Sequence, residues 1–265
     1  TLLASSPIYY KQCLRVPPRK FNIASLRQAV SAGEVLPYSI IEYWKNEFNL
    51  NLYEALGMTE MSTFINSGPA VPIKKGFVGK IQKGRRVSIL PFDENDAEIK
   101  PDEIGLLAIH KDCAGFMLYY LGEKEKKSIK FRGPWFITGD LVSYDQENYI
   151  QYHGRFDDIL NTEGGHRVSP VEIEKVLIKH PKIIEVACGL TDEGERQNVL
   201  TAFFVSNEVI SSLEFNDFLS DKLSPNKTPK KFIKVDELPK NTNGKINRKG
   251  LDCLRKLKCS SSDLI

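Results

Sequence analysis

Residues 133–176 read GPWFITGDLVSYDQENYIQYHGRFDDILNTEGGHRVSPVEIEKV, and the local physics of this stretch decides the fold. Val142 to Tyr144 and Tyr149 to Tyr152 are β-branched or aromatic, which suits strands. Asp145-Gln146-Glu147-Asn148 between them reads as a hairpin turn in which Asn148 tolerates φ > 0. Asp140 follows Thr138-Gly139, where the missing side chain lets a ligand approach the backbone. An arginine and two adjacent carboxylates come next, and Arg155 to Asp158 read as a joint. Ser169-Pro170-Val171-Glu172 carries the pattern of a capping box with proline at the first helical position. Ile173, Val176, Leu177 and His180 keep helical spacing until Pro181.

Upstream of the joint the pattern alternates. Ile23 to Val30 reads as a short helix running into a strand-like Ala29-Val30, Ser31 to Glu34 as a turn, and Pro37 to Phe48 as a helix. Asn51 to Leu56 is strand-like and ends at Gly57. This is the end of a doubly wound α/β subdomain, spanning 1–76; residues 1–19 carry no clear pattern. Ligands of open α/β sheets sit at the carboxyl ends of strands, which is where Gly33 and Gly57 fall. Residues 77–154 change to short strands (Arg86 to Leu90, Gly105 to His110, Phe116 to Tyr120) with turns such as Asp93 to Asp96, a small β-barrel-like subdomain. Lys74 to Arg86 holds six basic residues and no acid, the composition of a solvated basic face, with contact to a phosphate-bearing ligand as the alternative.

Downstream, the expected order is helix 170–180, strands Ile183 to Leu190 and Val199 to Val205, a helix over Leu213 to Leu223 and a strand over Phe232 to Val235. A loop bearing Lys245 and a short basic helix follow. Residues 159–259 thus form an α+β domain after the joint at 155–158, and 260–265 read as a disordered tail.

The 265 residues suffice for two domains with real cores. A hydrophobic share of 41% and a charged share of 27% are those of a globular protein in water. A net charge of +3 is too small to argue for nucleic acid. Five scattered cysteines without a CxxC fit a reducing, cytoplasmic setting. No apolar run approaches the ~18 residues of a membrane span. His110, His153, His166 and His180 show no metal spacing, and no Ser-His-Asp or Cys-His arrangement is supported.

Five motifs occur in a telling order: SAGE (Ser31 to Glu34), GMTE (Gly57 to Glu60), TGD (Thr138 to Asp140), GRFDD (Gly154 to Asp158) and PKNTNGKINR (Pro239 to Arg248). The chain resembles the adenylate-forming ligase superfamily of acyl- and aryl-CoA synthetases, luciferases and peptide-synthetase adenylation domains. SAGEVLP and LGMTEMSTF look most like benzoate-CoA-ligase-type enzymes. The Ser/Thr/Gly-rich phosphate loop of that superfamily has no counterpart here, so the resemblance covers a C-terminal half. It implies the N-terminal half as a missing partner and a piece that by itself forms no acyl-AMP.

The resemblance implies that ATP activates a small-molecule carboxylic acid as acyl-AMP and that coenzyme A takes the acyl group. A carrier-protein-loading enzyme and a non-catalytic module retaining the fold are the alternatives. Such chemistry needs positioning and charge neutralisation. By resemblance, Glu60 holds Mg2+, Thr59 touches a phosphate, and Gly33, Glu34, Leu56 and Gly57 line the ATP/AMP site. Leu56 stands where the family commonly has Tyr or Phe, so its adenine contact is apolar packing. Asp140 can accept hydrogen bonds from the ribose hydroxyls, and Arg155 can donate to the same sugar. Lys245 takes the part of the adenylation lysine, bridging carboxylate and α-phosphate. Asp157 is the implied hinge. Gly164, Gly165 and Arg167 are the implied coenzyme A contacts, on a segment one residue longer than the usual pattern.

Overall fold

The computed structural model of the protein describes residues 1–16, 22–93, 99–121, 131–193, 196–241, 246–248 and 250–251. The chain divides into two compact units, Thr1–His153 and Gly154–Ile265.

The first unit opens on a five-stranded sheet of β1 (Leu2–Ser5), β2 (Gln28–Ala32), β3 (Leu52–Met58), β4 (Ser62–Asn66) and β5 (Lys80–Ile81), paired in that order. The first three strands are parallel, and β4 and β5 are antiparallel additions. Helices α1 (Pro7–Cys13) and α2 (Tyr38–Phe48) make the two parallel crossovers. Their shared core holds Tyr10, Ile41 and Trp44 over Ala29 and Leu52. The buried Tyr10 hydroxyl donates to the carbonyls of Leu3 and Val30, at 3.1 and 2.8 Å, tying α1 to the sheet. Helix α2 begins at Pro37 as its sequence predicts and ends on Asn49, which takes the left-handed conformation at φ 50°.

One expectation fails here, and one stretch without a reading acquires structure. Residues 1–19, patternless in sequence, supply β1 and α1. No helix forms over Ile23 to Val30. Asn22 accepts the Ala24 N–H on its side chain, Arg27 N–H donates to Thr1 O, and the chain turns straight into β2.

The second sheet of this unit is antiparallel, in the order β10 (Ile150–Arg155), β9 (Trp135–Tyr144), β7 (Gly105–His110), β6 (Val87–Leu90), with β8 (Phe131–Arg132) beside β9. It is an open path. Strand β7 is buried at every position, and Leu107 and Ile109 pack with Phe64, Ile65, Phe136 and Ile150. Phe64 and Ile65 of β4 therefore belong to the core of the second sheet, and bonds between Val78, Gly79 and Ile150 join the two sheets. Phe116 to Tyr120, expected as a strand, pairs with no strand. The Phe116 ring packs on Phe131 and Phe136, and the Met117 N–H donates to the Glu60 carbonyl at 2.7 Å. The turn expected over Asp93 to Asp96 lies outside the described residues beyond Asp93.

In the second unit β11 (Leu160–Asn161) and β12 (Arg167–Val168) form a hairpin. Strands β13 (Glu185–Glu193) and β14 (Arg196–Val205) are antiparallel, and β15 (Lys231–Lys234) joins β14 in parallel after helix α4 (Ser212–Leu219). Helices α3 (Pro170–Leu177) and α4 cover one face, with Ile173, Leu177, Phe215 and Leu219 over Cys188, Leu200 and Phe204. Val235, Leu238 and Leu251 cover Ala187 and Phe203 on the other. Both faces of β14 are thus buried, which explains its continuous apolar run. The tail at 260–265 lies outside the described residues.

The capping expectation is half right. Helix α3 starts at Pro170, but Ser169 makes no side-chain cap bond, and Glu172 reaches Lys227 at 2.7 Å instead. The cap forms at Ser211, whose hydroxyl accepts the Glu214 N–H at 3.2 Å.

Candidate nucleotide and thioester site

The parallel strands position the first group of residues. Register Ala32↔Ala55 sets Gly33 beside Leu56 at the carboxyl ends of neighbouring strands. Gly33 takes φ +97°, and it and Glu34 are exposed on the loop that leaves β2. Glu54 accepts the Leu36 N–H at 3.1 Å and holds the far end of that loop. Nothing in the sequence marks Glu54, because a lone glutamate in a strand carries no pattern.

Strands β3 and β4 form a hairpin with a register shift between Leu56 and Gly57. Thr59 and Glu60 are its turn. A Cβ on Gly57 would lie 2.5 Å from the Ser62 carbonyl oxygen, so only glycine permits this bulged approach. Thr59 is exposed and Glu60 half-buried. The Tyr120 hydroxyl donates to Glu60 Oε1 at 2.5 Å, a partner that sequence reading misses. One carboxylate oriented by a hydroxyl, at a strand end open to solvent, fits a magnesium ion that takes most of its ligands from water and substrate phosphates. Among the described residues no group of three or more His, Cys, Asp and Glu side chains gathers to hold a metal.

Asp140 is set by a second irregularity. The β7–β9 register shifts between Leu106 and Ala108, so Thr138, Gly139 and Asp140 lie opposite the single residue Leu107. Gly139 takes φ +82° within the bulge. Thr138 stabilises it by donating its hydroxyl to Leu107 O at 3.0 Å and accepting the Asp140 N–H at 3.1 Å. Asp140 is buried, at 7% exposure of the residue, and the Tyr152 hydroxyl of β10 donates to its carboxylate from 3.4 Å. Bulges commonly re-aim a side chain beside a site, and this one falls at Asp140.

The remaining candidates belong to the second unit. Arg155 is exposed at the end of β10, and Asp157 is exposed in a 3-10 turn, Phe156–Asp158. Gly164 and Gly165 sit in the loop of the β11–β12 hairpin, closed by Gly165 N–H to Thr162 O at 2.8 Å. Arg167 lies on β12 with its guanidinium 5.9 Å from the Phe156 ring centroid. The lengthened segment is pinned: Glu163 N–H donates to Asn198 O at 3.0 Å, and its side chain pairs with Arg196. That bond holds the Glu163 carboxyl below its usual range. Lys245 lies outside the described residues. So does the rest of 242–245, whose flanks are bridged by Lys240↔Ile246. The structure thus gathers Gly33, Glu34, Leu56, Gly57, Thr59 and Glu60 at one end of one sheet and sets Asp140 on the other sheet of the same unit.

Residues 1–121 match the sequence model of the AMP-binding enzymes, and residues 172–245 match that of the AMP-binding enzyme C-terminal domain. The chain belongs to the AMP-binding enzyme family. Among its relatives in this family, the mitochondrial acyl-coenzyme A synthetase ACSM3 of Mus musculus is 31% identical over 261 residues, covering 95% of this chain and 44% of that protein. The crystal structure of the anthranilate CoA ligase AuaEII in complex with anthranoyl-AMP superposes with a TM-score of 0.83 at 30% identity, over 98% of this chain and 51% of that one. A benzoate CoA ligase from Burkholderia xenovorans LB400 superposes at 0.79 and 30% identity, over 95% and 50%. The chain therefore spans about half the length of these relatives. Between the two matched AMP-binding models lies 122–171, which holds the TGD bulge and the joint. No helix among the described residues is long and apolar enough to cross a membrane.

Proposed function

We propose that this chain is the C-terminal half of an ATP-dependent acyl- or aryl-CoA ligase. The observation that carries the reading is the pair of backbone irregularities, the Gly57 bulge and the Gly139 bulge, beside which stand the Glu60 carboxylate, held by the Tyr120 hydroxyl, and the Asp140 carboxylate, faced by the Tyr152 hydroxyl. The acids of the similar anthranilate and benzoate CoA ligases support an aromatic or other small carboxylic acid. The wider architecture belongs to the proposal: a doubly wound large domain completed by an N-terminal half, and a C-terminal domain hinged at Asp157. So does a reducing, cytoplasmic setting, in which Cys13, Cys113 and Cys188 are free thiols.

In this reading a carboxylate oxygen of the acid attacks the α-phosphorus of ATP, and pyrophosphate leaves. Gly33, Glu34, Leu56 and Gly57 bound the nucleotide, with Leu56 packing on adenine. Asp140 accepts the ribose hydroxyls and Arg155 donates to the same sugar. Thr59 contacts a phosphate. Glu60 would hold Mg2+, which supplies charge neutralisation at the phosphates when bound. Lys245 places its ammonium between the carboxylate and the α-phosphate. The thiolate of coenzyme A then attacks the acyl carbonyl and AMP leaves, with Gly164, Gly165 and Arg167 along the pantetheine.

Single-turnover measurement of the two half-reactions in the whole ligase tests this. Removing one preorganised charge-stabilising group costs roughly 10²–10³ in rate. Lys245→Ala should lose acyl-AMP formation by that factor and largely keep thioester formation from supplied acyl-AMP. Asp157→Pro, which fixes φ at the hinge, should slow the two steps unequally. A Lys245→Ala enzyme that adenylates at the wild-type rate, or two half-reactions slowed by one factor in Asp157→Pro, removes those residues from these roles.

A further inference from the structure

Arg248 follows Lys245 by three residues, and the partners of its side chain are unusual for a surface arginine. Its Nη1 and Nη2 donate to the two carboxylate oxygens of Glu174 on α3, at 2.7 and 2.9 Å. Its Nε lies 3.2 Å from Asp158 Oδ2, and Nη1 also reaches the Cys188 carbonyl of β13 at 3.3 Å. Glu174 in turn accepts the Cys188 N–H at 2.8 Å. The side chains of Arg248 and Glu174 are 22% and 14% exposed, so the pair is largely withdrawn from solvent. Burial opposes the charge on Arg248, but Glu174 and then Asp158 outweigh it and hold the guanidinium charged.

Two placements give this network a meaning beyond stability. Asp158 closes the 3-10 turn that contains Asp157. Arg248 stands three residues after Lys245, beside the described flanks of residues 242–245. There Ile246 bridges Lys240, Asn247 N–H donates to Pro239 O at 2.8 Å, and Ile246 packs with Leu251 against Phe203 and Leu238. A buried ion pair is weak evidence for stability, and its best-attested use is to fix register.

We infer that Arg248 is the positioning residue for Lys245: its planar fork locks the base of the lysine loop to Asp158 in the hinge turn and to Glu174 on α3. The inference rests on the proposed role of Lys245 and adds the part that sets where the lysine is carried. Hinge turn, helix and loop base then form one piece, and a rotation at Asp157 delivers the lysine without play. Lysine cannot replace the arginine, because a point charge cannot make the fork and the Nε contact together.

Hydrogen exchange over residues 239–251, combined with single-turnover rates in the full chain, tests the inference. Asp158→Asn removes the charge at the hinge end and leaves the Glu174 fork, so the fold is kept; Arg248→Lys loosens both ends. Both should raise exchange at the Asn247 and Gly250 amides. Both should lower acyl-AMP formation by roughly 10- to 100-fold, the cost of a misplacement near 1 Å. KM for the acid and thioester formation from supplied acyl-AMP should hold at wild-type values. Exchange unchanged in both variants overturns the clamp whatever the activity. Raised exchange with unchanged acyl-AMP formation, or with both half-reactions slowed equally, overturns the positioning role. A wild-type ligase that shows the protected loop but forms no acyl-AMP sinks the ligase reading and leaves the clamp to be judged on exchange.

Discussion

At Gly57 a Cβ would sit 2.5 Å from the Ser62 carbonyl oxygen, 2.8 Å from Thr63 Cα and 2.9 Å from the Ser62 carbonyl carbon. All three are backbone atoms, so no side chain can swing aside. Ser62 is already in the left-handed region at φ 62°, which leaves the turn little further freedom. Gly57→Ala should therefore cost about 1–3 kcal/mol, the usual penalty of overpacking, and displace the Thr59–Glu60 turn. Urea denaturation followed by circular dichroism reads the stability. A variant within experimental error of wild type would mean that the hairpin yields more cheaply than its geometry allows. Sequence reading finds Gly57 and Glu60 through their motif. It misses Tyr120, because an aromatic in the run Leu118-Tyr119-Tyr120 looks like a strand residue until its hydroxyl is placed against Glu60.

The β9–β10 hairpin shows how one element is built from its turn. Asp145 Oδ1 accepts the N–H groups of Glu147 and Tyr149, both at 2.9 Å, and Asn148 follows at φ 63°. The other oxygen takes Lys74 at 2.6 Å, and the same ammonium reaches Glu147 and lies over the Phe77 and Tyr149 rings. Lys74 thus leaves the basic run Lys74 to Arg86 for a structural tie. Partial burial raises the Asp145 carboxyl, and the Lys74 bond and the two N–H groups outweigh it, so the net shift is downward. A depressed carboxyl contributes stability that is present above the unfolded value, near 4, and is lost as pH falls through the folded one. Asp145→Asn keeps the turn acceptor and removes the charge, so its unfolding free energy should depend less on pH below about 4 than the wild type's. Asp145→Ala loses the turn bonds as well and should cost about 1–3 kcal/mol near neutral pH. Parallel pH titrations of thermal stability would contradict this if the Asn variant and the wild type lost stability equally in acid.

Across the whole molecule, the apolar clusters respect the division at Gly154. Among the described residues, the clusters around Trp44 and around Leu107 draw only on residues before it, and those around Phe215 and Phe203 only on residues after it. A unit with its own core can fold by itself. Residues 154–265 expressed alone should unfold in one cooperative thermal transition and give dispersed amide resonances. A broad, non-cooperative melt would show that the second unit borrows its stability from elsewhere in the chain.

The sequence by itself determined the hairpin at Asp145 to Asn148, the start of α2 at Pro37 and of α3 at Pro170, and the strand–helix order after the joint. Each of these is dictated within a few residues, by a turn's φ requirement, a proline ring or an apolar period. The motifs that mark the family are local in the same sense. Only the tertiary structure decided that β1 and α1 exist, because their patternless residues are held by Tyr10 reaching across to β2 and by packing on Trp44. It also decided that Ile23 to Val30 forms no helix, and that Phe116 to Tyr120 folds over the Glu60 turn in place of joining a sheet. Ser169 makes no side-chain cap bond to α3 whereas Ser211 caps α4, and Arg248 found Glu174 and Asp158, residues 74 and 90 positions away in the chain. Contacts of that span follow from the register of strands and the packing of their two faces, and no short window of residues encodes either.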